Sequence, residues 1–260
     1  MRVLFLGDIV GRPGRRAVKE LLPSLYEEYD PHIVIANGEN AAGGNGITRK
    51  TADEIFLSGV DILTMGNHVW DQKEVYDFID DEERIVRPAN FPPDTPGRGF
   101  VITCTRDNNK VGIINLSGRV FLPALDCPFR MLDEILAIIN KQTNIIIVDF
   151  HAEATSEKMA LAWYADGRVS VVIGPHTHIQ PADERTLPGG TGYITDAGMT
   201  GPQNSILGVK IEPVIEKFLT QRPVRFEVAS GPIQLNAIYL EIDNEKGTTT
   251  AIKRIQVAKN

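Results

Sequence analysis

Two cysteines in 260 residues, Cys104 and Cys127, are too few for a disulfide framework and stand in no CxxC or zinc-ribbon spacing. Reduced thiols and a cytoplasmic setting are the resulting expectation. No apolar run approaches the ~20 residues a membrane helix needs. The apolar stretch at residues 3–6 is too short for a signal-peptide core, so no membrane partner is expected. Basic tracts are missing and the formal net charge is −7, which argues against long nucleic acid, whose capture needs a positive footprint. A small nucleotide stays admissible, because metal ions in a pocket reverse the local sign. There is no His-Glu-x-x-His motif for a helical metallopeptidase site. Nor is there an internal repeat, a low-complexity stretch or a linker long enough to part the chain, so one domain over residues 1–260 is expected.

What the chain does have is a rhythm of short apolar runs, each ending in polar residues. Residues 3–6 end at Gly7-Asp8, and a helical stripe (Ala17, Leu21, Leu22, Leu25) follows as far as Tyr29, with Pro13 suited to its first turn. Residues 33–36 end at Asn37-Gly38-Glu39-Asn40. Thr48 can cap a helix reaching about Leu57, and the next run stops at Gly66-Asn67-His68. This is βαβαβ, the pattern of a parallel sheet. Helical spacing returns over residues 71–82. Residues 99–105 and 110–116 read as a hairpin, 131–140 as a helix, and 145–150 as a strand ending at His151. A helix near 156–164 leads to a run at 169–173 and then Gly174-Pro175-His176-Thr177-His178. A helix at 210–220 and β-structure at 224–228, 234–242 and 248–257 close the chain. Two glycine-rich stretches, 43–46 and 198–201, either line a pocket or are plain turns.

Four of the five histidines (His68, His151, His176, His178) follow strand-like runs at turns; only His32 does not. Open α/β sheets place ligands at the carboxyl ends of their strands, so four such placements point to ligand or catalytic roles, and His32 to a structural one. If the backbone between His176 and His178 stays extended, both imidazoles project to one side. Singly, Asp8 or Glu39-Asn40 would be no more than helix-capping groups. Together, oxygen and imidazole ligands on successive strand ends describe a metal site.

The ordered set resembles the calcineurin-like metallophosphoesterases: an early Asp (Asp8), Gly66-Asn67-His68, the lone His151, and Gly174-Pro175-His176-Thr177-His178 with one residue added to the usual Gly-His-x-His. Two departures mark a branch. Val10 stands where the first motif carries His, and Gly38-Glu39-Asn40 replaces Gly-Asp. Both, with the phrase Asn37-Gly38-Glu39-Asn40-Ala41, look like the YmdB-like branch, a likeness that runs from Gly7 to Gly201.

The resemblance implies an α/β fold in which two packed mixed β-sheets are flanked by helices. It implies two metal ions bridged by Glu39, with Asp8, Asn40 and His178 completing one site and Asn67, His151 and His176 the other. Asn40 then replaces the missing first-motif His. Iron is the implied cation, with manganese able to substitute. A hydroxide shared by the metals attacks phosphorus, and His68, not a ligand, protonates the leaving oxygen. The implied substrates are small cyclic nucleotides, 2′,3′-cyclic and as a further candidate 3′,5′-cyclic. The alternative is a metal- and nucleotide-binding regulator that acts through partners with little or no turnover. Whether the chain forms a homo-oligomer is left open.

Overall fold

All but the first residue of Arg2–Leu6 are buried, and they alternate between two cores: Val3 and Phe5 face one, Leu4 and Leu6 the other. A strand covered on both faces is the mark of a layered α/β protein, and the computed structural model, which describes residues 1–259, has that architecture. The chain first lays down β1 (Arg2–Leu6), the two-residue β2 (Asp8–Ile9), α1 (Gly11–Tyr29), β3 (Ile33–Asn37), α2 (Arg49–Leu57), β4 (Ile62–Thr64) and β5 (Ile85–Val86). It crosses to a second sheet with β6 (Phe100–Cys104), β7 (Lys110–Ser117), α3 (Pro128–Ile139), β8 (Ile146–His151) and α4 (Thr155–Ala165). β9 (Val171–Ile173), β10 (Arg185–Thr186) and β11 (Gly192–Ile194) complete that sheet. Finally β12 (Met199–Pro202), α5 (Ile211–Thr220), β13 (Ile233–Ile242) and β14 (Thr249–Lys259) return to the first.

The first sheet is ordered β2-β12-β13-β1-β3-β4-β5, with β14 also on β13; the second is β10-β11-β9-β8-β7-β6. β1, β3, β4 and β5 run parallel, as do β7, β8, β9 and β11. β13 is long enough for β1 and β12 to share one of its edges, at Ala237–Glu241 and Ile233–Gln234, while β14 takes the other. Between the sheets, Phe5, Ile35 and Ile62 meet Ile113, Ile147 and Ile173. On the outer faces Ala17, Leu21 and Leu25 of α1 cover the first sheet, and Leu132 and Leu136 of α3 with Leu161 of α4 cover the second. The result is the expected α/β/β/α sandwich.

The local readings hold with four corrections. Thr48 caps α2 through a reciprocal pair with Thr51. Residues 71–82, however, form only a short 3-10 turn, Lys73–Asp77. Asp77, Asp80, Asp81, Glu82 and Glu83 crowd what would be the negative end of a helix dipole there. Residues 224–228 form no strand and make only an isolated β-bridge, from Val228 to Val209. Residues 199–202 are not a turn but β12, the parallel neighbour of Asp8. The backbone at His176 and His178 is not extended, with φ of +110° and +67°.

Candidate metal centre

The parallel strands bring their carboxyl ends to one point where the sheets meet. Asp8 opens β2, Glu39-Asn40 follow β3, Asn67-His68 follow β4, His151 ends β8, and His176 and His178 follow β9. Asp8 reaches this point because the chain steps at Gly7 from the edge of β13 to that of β12. The Gly7 N–H donates to Asn236 O at 3.0 Å and the Asp8 N–H to Gly198 O at 3.0 Å. A Cβ on Gly7 would lie 2.0 Å from the Gly198 carbonyl oxygen, so the step requires glycine.

The seven expected ligands do come together. His151 Nε2 lies 3.1 Å from Glu39 Oε1, 3.1 Å from Asn67 Oδ1 and 2.9 Å from His176 Nδ1. A ring nitrogen carries at most one proton and cannot satisfy three such neighbours at once. The cluster is better matched to a single cation between the donors, and Glu39, His151 and His176 lie within metal-binding reach of one another. On the other side, His178 Nε2 stands 3.8 Å from Asp8 Oδ1 and 3.4 Å from Asn40 Nδ2. Asp8 is fully buried, and its Oδ1 has no hydrogen-bond donor at all. An orphaned carboxylate oxygen in the interior is costly unless a cation meets it. Gly66 leaves the necessary room, since a Cβ there would lie 2.3 Å from Glu39 Oε2 and 2.4 Å from His151 Nε2. The residues therefore fit the metal ions that the motif implies.

The outer partners fix which ring nitrogen faces inward. His176 Nε2 is 3.0 Å from Glu153 Oε2, turning Nδ1 to the centre, while His178 Nδ1 donates to Leu207 O at 3.0 Å, turning Nε2 there. Their unusual backbone is pinned from behind by a buried ion pair. Lys158 Nζ donates to Pro175 O at 2.9 Å and to Asp196 Oδ2 at 3.0 Å. The same Asp196 oxygen accepts from the Thr177 N–H and hydroxyl at 2.8 and 2.7 Å, and Oδ1 accepts from the Gly198 N–H at 2.8 Å. Strain in the loop is thus held by side chains outside the motif.

Charge is unevenly shared in the protein alone. Burial pushes the Asp8 carboxyl up, against the pull of His178 and His151. Burial acts likewise on Glu39, but His151 and the His68 N–H outweigh it and hold the carboxyl below its usual range. His151 is desolvated, yet Glu39, Asp8 and Asp149 together raise it to about 9. His176 falls to about 3, from burial and the neighbouring His151 charge. Beneath them Asp149 is driven to about 7 by burial, with Asn37 Nδ2 donating to its Oδ2 at 3.3 Å.

His68 stands apart from the cluster, a third exposed, with Nδ1 2.8 Å from Asp71 Oδ2 and its backbone N–H on Glu39 Oε2 at 3.1 Å. It opens onto a cavity of about 530 Å³ whose floor includes Glu39, Asn40, His176 and His178. The glycine-rich stretch at 43–46 does line this cavity, through Gly43, Gly44 and Asn45, whereas 198–201 does not. His32 lies elsewhere, paired with Asp107 at 3.1 Å. Reading the sequence missed Asp71, Glu153, Lys158 and Asp196. Only Asp71 carried a signal, three residues after a motif histidine.

A family profile described as YmdB-like protein matches residues 4–255. The chain belongs to the YmdB-like family. It is 54% identical over 258 residues to the 2′,3′-cyclic-nucleotide 2′-phosphodiesterase of Bacillus subtilis, covering 99% of this chain and 97% of that one. Among solved structures, a hypothetical protein of Thermus thermophilus superposes with a TM-score of 0.93 at 44% identity, over all of both chains. A novel phosphatase from Mycoplasma pneumoniae superposes at 0.92 and 35% identity, over 99% of this chain and 93% of that one. The fold is thus that of the metallophosphoesterases, and divalent metal ions are implied for the YmdB-like chain. Among the described residues, no helix is long and apolar enough to cross a membrane.

Proposed function

We propose that this chain is a two-metal phosphodiesterase that opens 2′,3′-cyclic nucleotides at the 2′ oxygen, leaving the 3′-phosphate. The observation that carries the reading is the convergence of seven oxygen and imidazole side chains around the donorless Asp8 Oδ1, with His68 set beside them at the cavity. Glu39 would be shared, with Asp8, Asn40 and His178 on one ion and Asn67, His151 and His176 on the other. Ligation by Asn40 needs its amide oxygen where Nδ2 now faces Glu39 and His178, a half-turn of the group. Imidazole, carboxylate and amide donors without thiolate suit iron, the proposed resident ion, with manganese as substitute. Bound there, the ions supply Lewis acidity toward the phosphoryl oxygens and acidify water at neutral pH.

The chain's own groups do the rest. Gly66 and Gly7 let backbone and carboxylates approach closely enough to form the cradle. Asp71 accepts from His68 Nδ1, so Nε2 is presented to the cavity, where it can give its proton to the departing 2′ oxygen as the P–O bond breaks. The donors come from both sheets, which supports one metallophosphoesterase domain over residues 1–260. The free thiols of Cys104 and Cys127 support a cytoplasmic setting.

The test is hydrolysis of 2′,3′-cyclic AMP by iron- or manganese-loaded protein, with 3′,5′-cyclic AMP and His68→Ala alongside and the product isomers resolved. One isomer, lost in the variant, is the expected outcome. Absence of turnover at full two-metal occupancy would move the reading to a ligand-sensing regulator.

A further inference from the structure

The cavity above the cluster has two chemically different halves. Beside the polar residues of the cluster, Leu207, Val209, Phe226 and Val228 form an apolar wall of the same cavity. Its outermost side chains leave apolar surface to water beside a site built for an anion, with Phe226 and Leu207 each 48% exposed. We infer that this wall is the seat of the nucleobase, with Phe226 as the aromatic surface on which the base stacks. The inference rests on the phosphodiesterase reading and adds to it the part of the substrate that is not phosphate.

Three observations support it. First, the chemistry of the substrate restricts where the base can lie. A phosphate bridging the 2′ and 3′ oxygens leaves the base on the adjacent C1′, one ribose ring from the reacting phosphorus. A base held there is received by whatever surface adjoins the metal ligands, and on one side that surface is the wall. Second, the wall is tied to a proposed ligand. Leu207, which lines the cavity, accepts the hydrogen bond from His178 Nδ1 through its own carbonyl, and its backbone is left-handed (φ +51°). Third, the two strips of the wall are joined to each other and packed against the glycine-rich stretch. The Ala229 N–H donates to Gly208 O at 2.9 Å and the Lys210 N–H to Glu227 O at 3.0 Å. A Cβ on Gly44 would come within 2.9 Å of Val228 Cγ2, so the glycine-rich stretch packs against it. A volume of about 530 Å³ is within the range of small-molecule sites.

An apolar face with one aromatic ring reads no base edge. It accepts any base by its π face, and favours the larger purines. The experiment compares kcat/KM for 2′,3′-cyclic AMP and for methyl riboside 2′,3′-cyclic phosphate, which lacks the base, in the metal-loaded wild type, Phe226→Ala and Phe226→Trp. Calorimetric binding of 3′-AMP and ribose 3-phosphate gives a readout that needs no turnover. The wild type is expected to prefer the nucleotide by roughly 5- to 140-fold, the range that base–aromatic stacking supplies. Phe226→Ala should collapse that ratio, chiefly through KM, and Phe226→Trp should keep it. A ratio unchanged in Phe226→Ala, or both substrates weakened in proportion, overturns the base seat while leaving the phosphodiesterase intact. If no substrate turns over, yet 3′-AMP outbinds ribose 3-phosphate only while Phe226 is present, the base seat stands and the enzymatic reading falls.

Discussion

Lys158 is the residue whose loss should say most about how the histidine loop is held. It is fully buried on α4, and its partner Asp196 is 1% exposed, so neither charge has water to turn to. Lys158→Met keeps most of the volume and deletes the cation. Asp196 then retains its bonds from Thr177 and Gly198 but carries an uncompensated interior charge. Removing one member of a buried pair costs about 3–5 kcal/mol. For a chain of this size each kcal/mol lowers Tm by roughly 2–4 °C, so a fall of about 6–20 °C is expected in calorimetry. The surviving Thr177 and Gly198 donors place the expectation in the lower half of that range. Lys158→Met/Asp196→Asn removes both charges and should recover half or more of the loss, a coupling that the double-mutant cycle measures directly. Metal affinity should weaken in the single variant as well, because Pro175 loses its tether beside His176. A single-variant loss under about 1 kcal/mol, or a double variant no more stable than the single, would refute the claim that this pair supports the loop.

Chelation should lower Tm and re-addition of metal restore it in proportion to ln[metal], because Asp8 and Glu39 are buried carboxylates whose repulsion the ions relieve. A Tm indifferent to metal would argue against binding between them. Gly66→Ala places a methyl group against Glu39 and His151 and should reduce bound metal below two per chain in elemental analysis, with far-UV circular dichroism retained. Asp71→Asn should slow cyclic nucleotide hydrolysis more than that of an activated aryl ester, by less than the roughly 10²–10⁴-fold that loss of a general acid costs; equal slowing of both substrates would count against a role in proton donation. Burial raises the Asp61 carboxyl, against a bond from the Val34 N–H and the charge of Arg106. The folded state therefore binds the proton more tightly than the unfolded chain, and this stabilisation, complete below the unfolded value of about 4, is lost as pH rises through the folded one. Asp61→Asn keeps an acceptor for Val34 and should flatten that decline in Tm; an unchanged slope would remove Asp61 as its cause.

The residues that converge on the centre were legible because each stands where a periodic apolar run breaks, and strand ends are what periodicity locates best. The sheets were legible for the same reason. What holds the converging side chains in place was not. Lys158 and Asp196 meet across 38 residues of chain, and in sequence Lys158 looks like any polar residue of a surface helix. Glu153, seated on His176, sits in a turn that carries no pattern at all. Val224, Phe226 and Val228 do alternate as a strand would, yet the segment makes only an isolated β-bridge at Val228 and gives Phe226 and Val228 to the cavity. Alternation told of an extended backbone with one apolar side, and was silent on whether protein or ligand would cover it.

The step at Gly7 also bears on the order in which the molecule can be made. Asp8 leaves the ribosome long before the strands that seat it, β12 and β13, which begin at Met199 and Ile233. Until those arrive, β1 lacks its antiparallel neighbour and the first carboxylate of the centre has no fixed position. Pairings this distant in sequence form late and slowly. A nascent chain stalled before residue 199 would hold His68, His151, His176 and His178 but no positioned Asp8, and should capture metal poorly even in excess. Order at the first carboxylate is in this sense set by the strands that come after it in the chain.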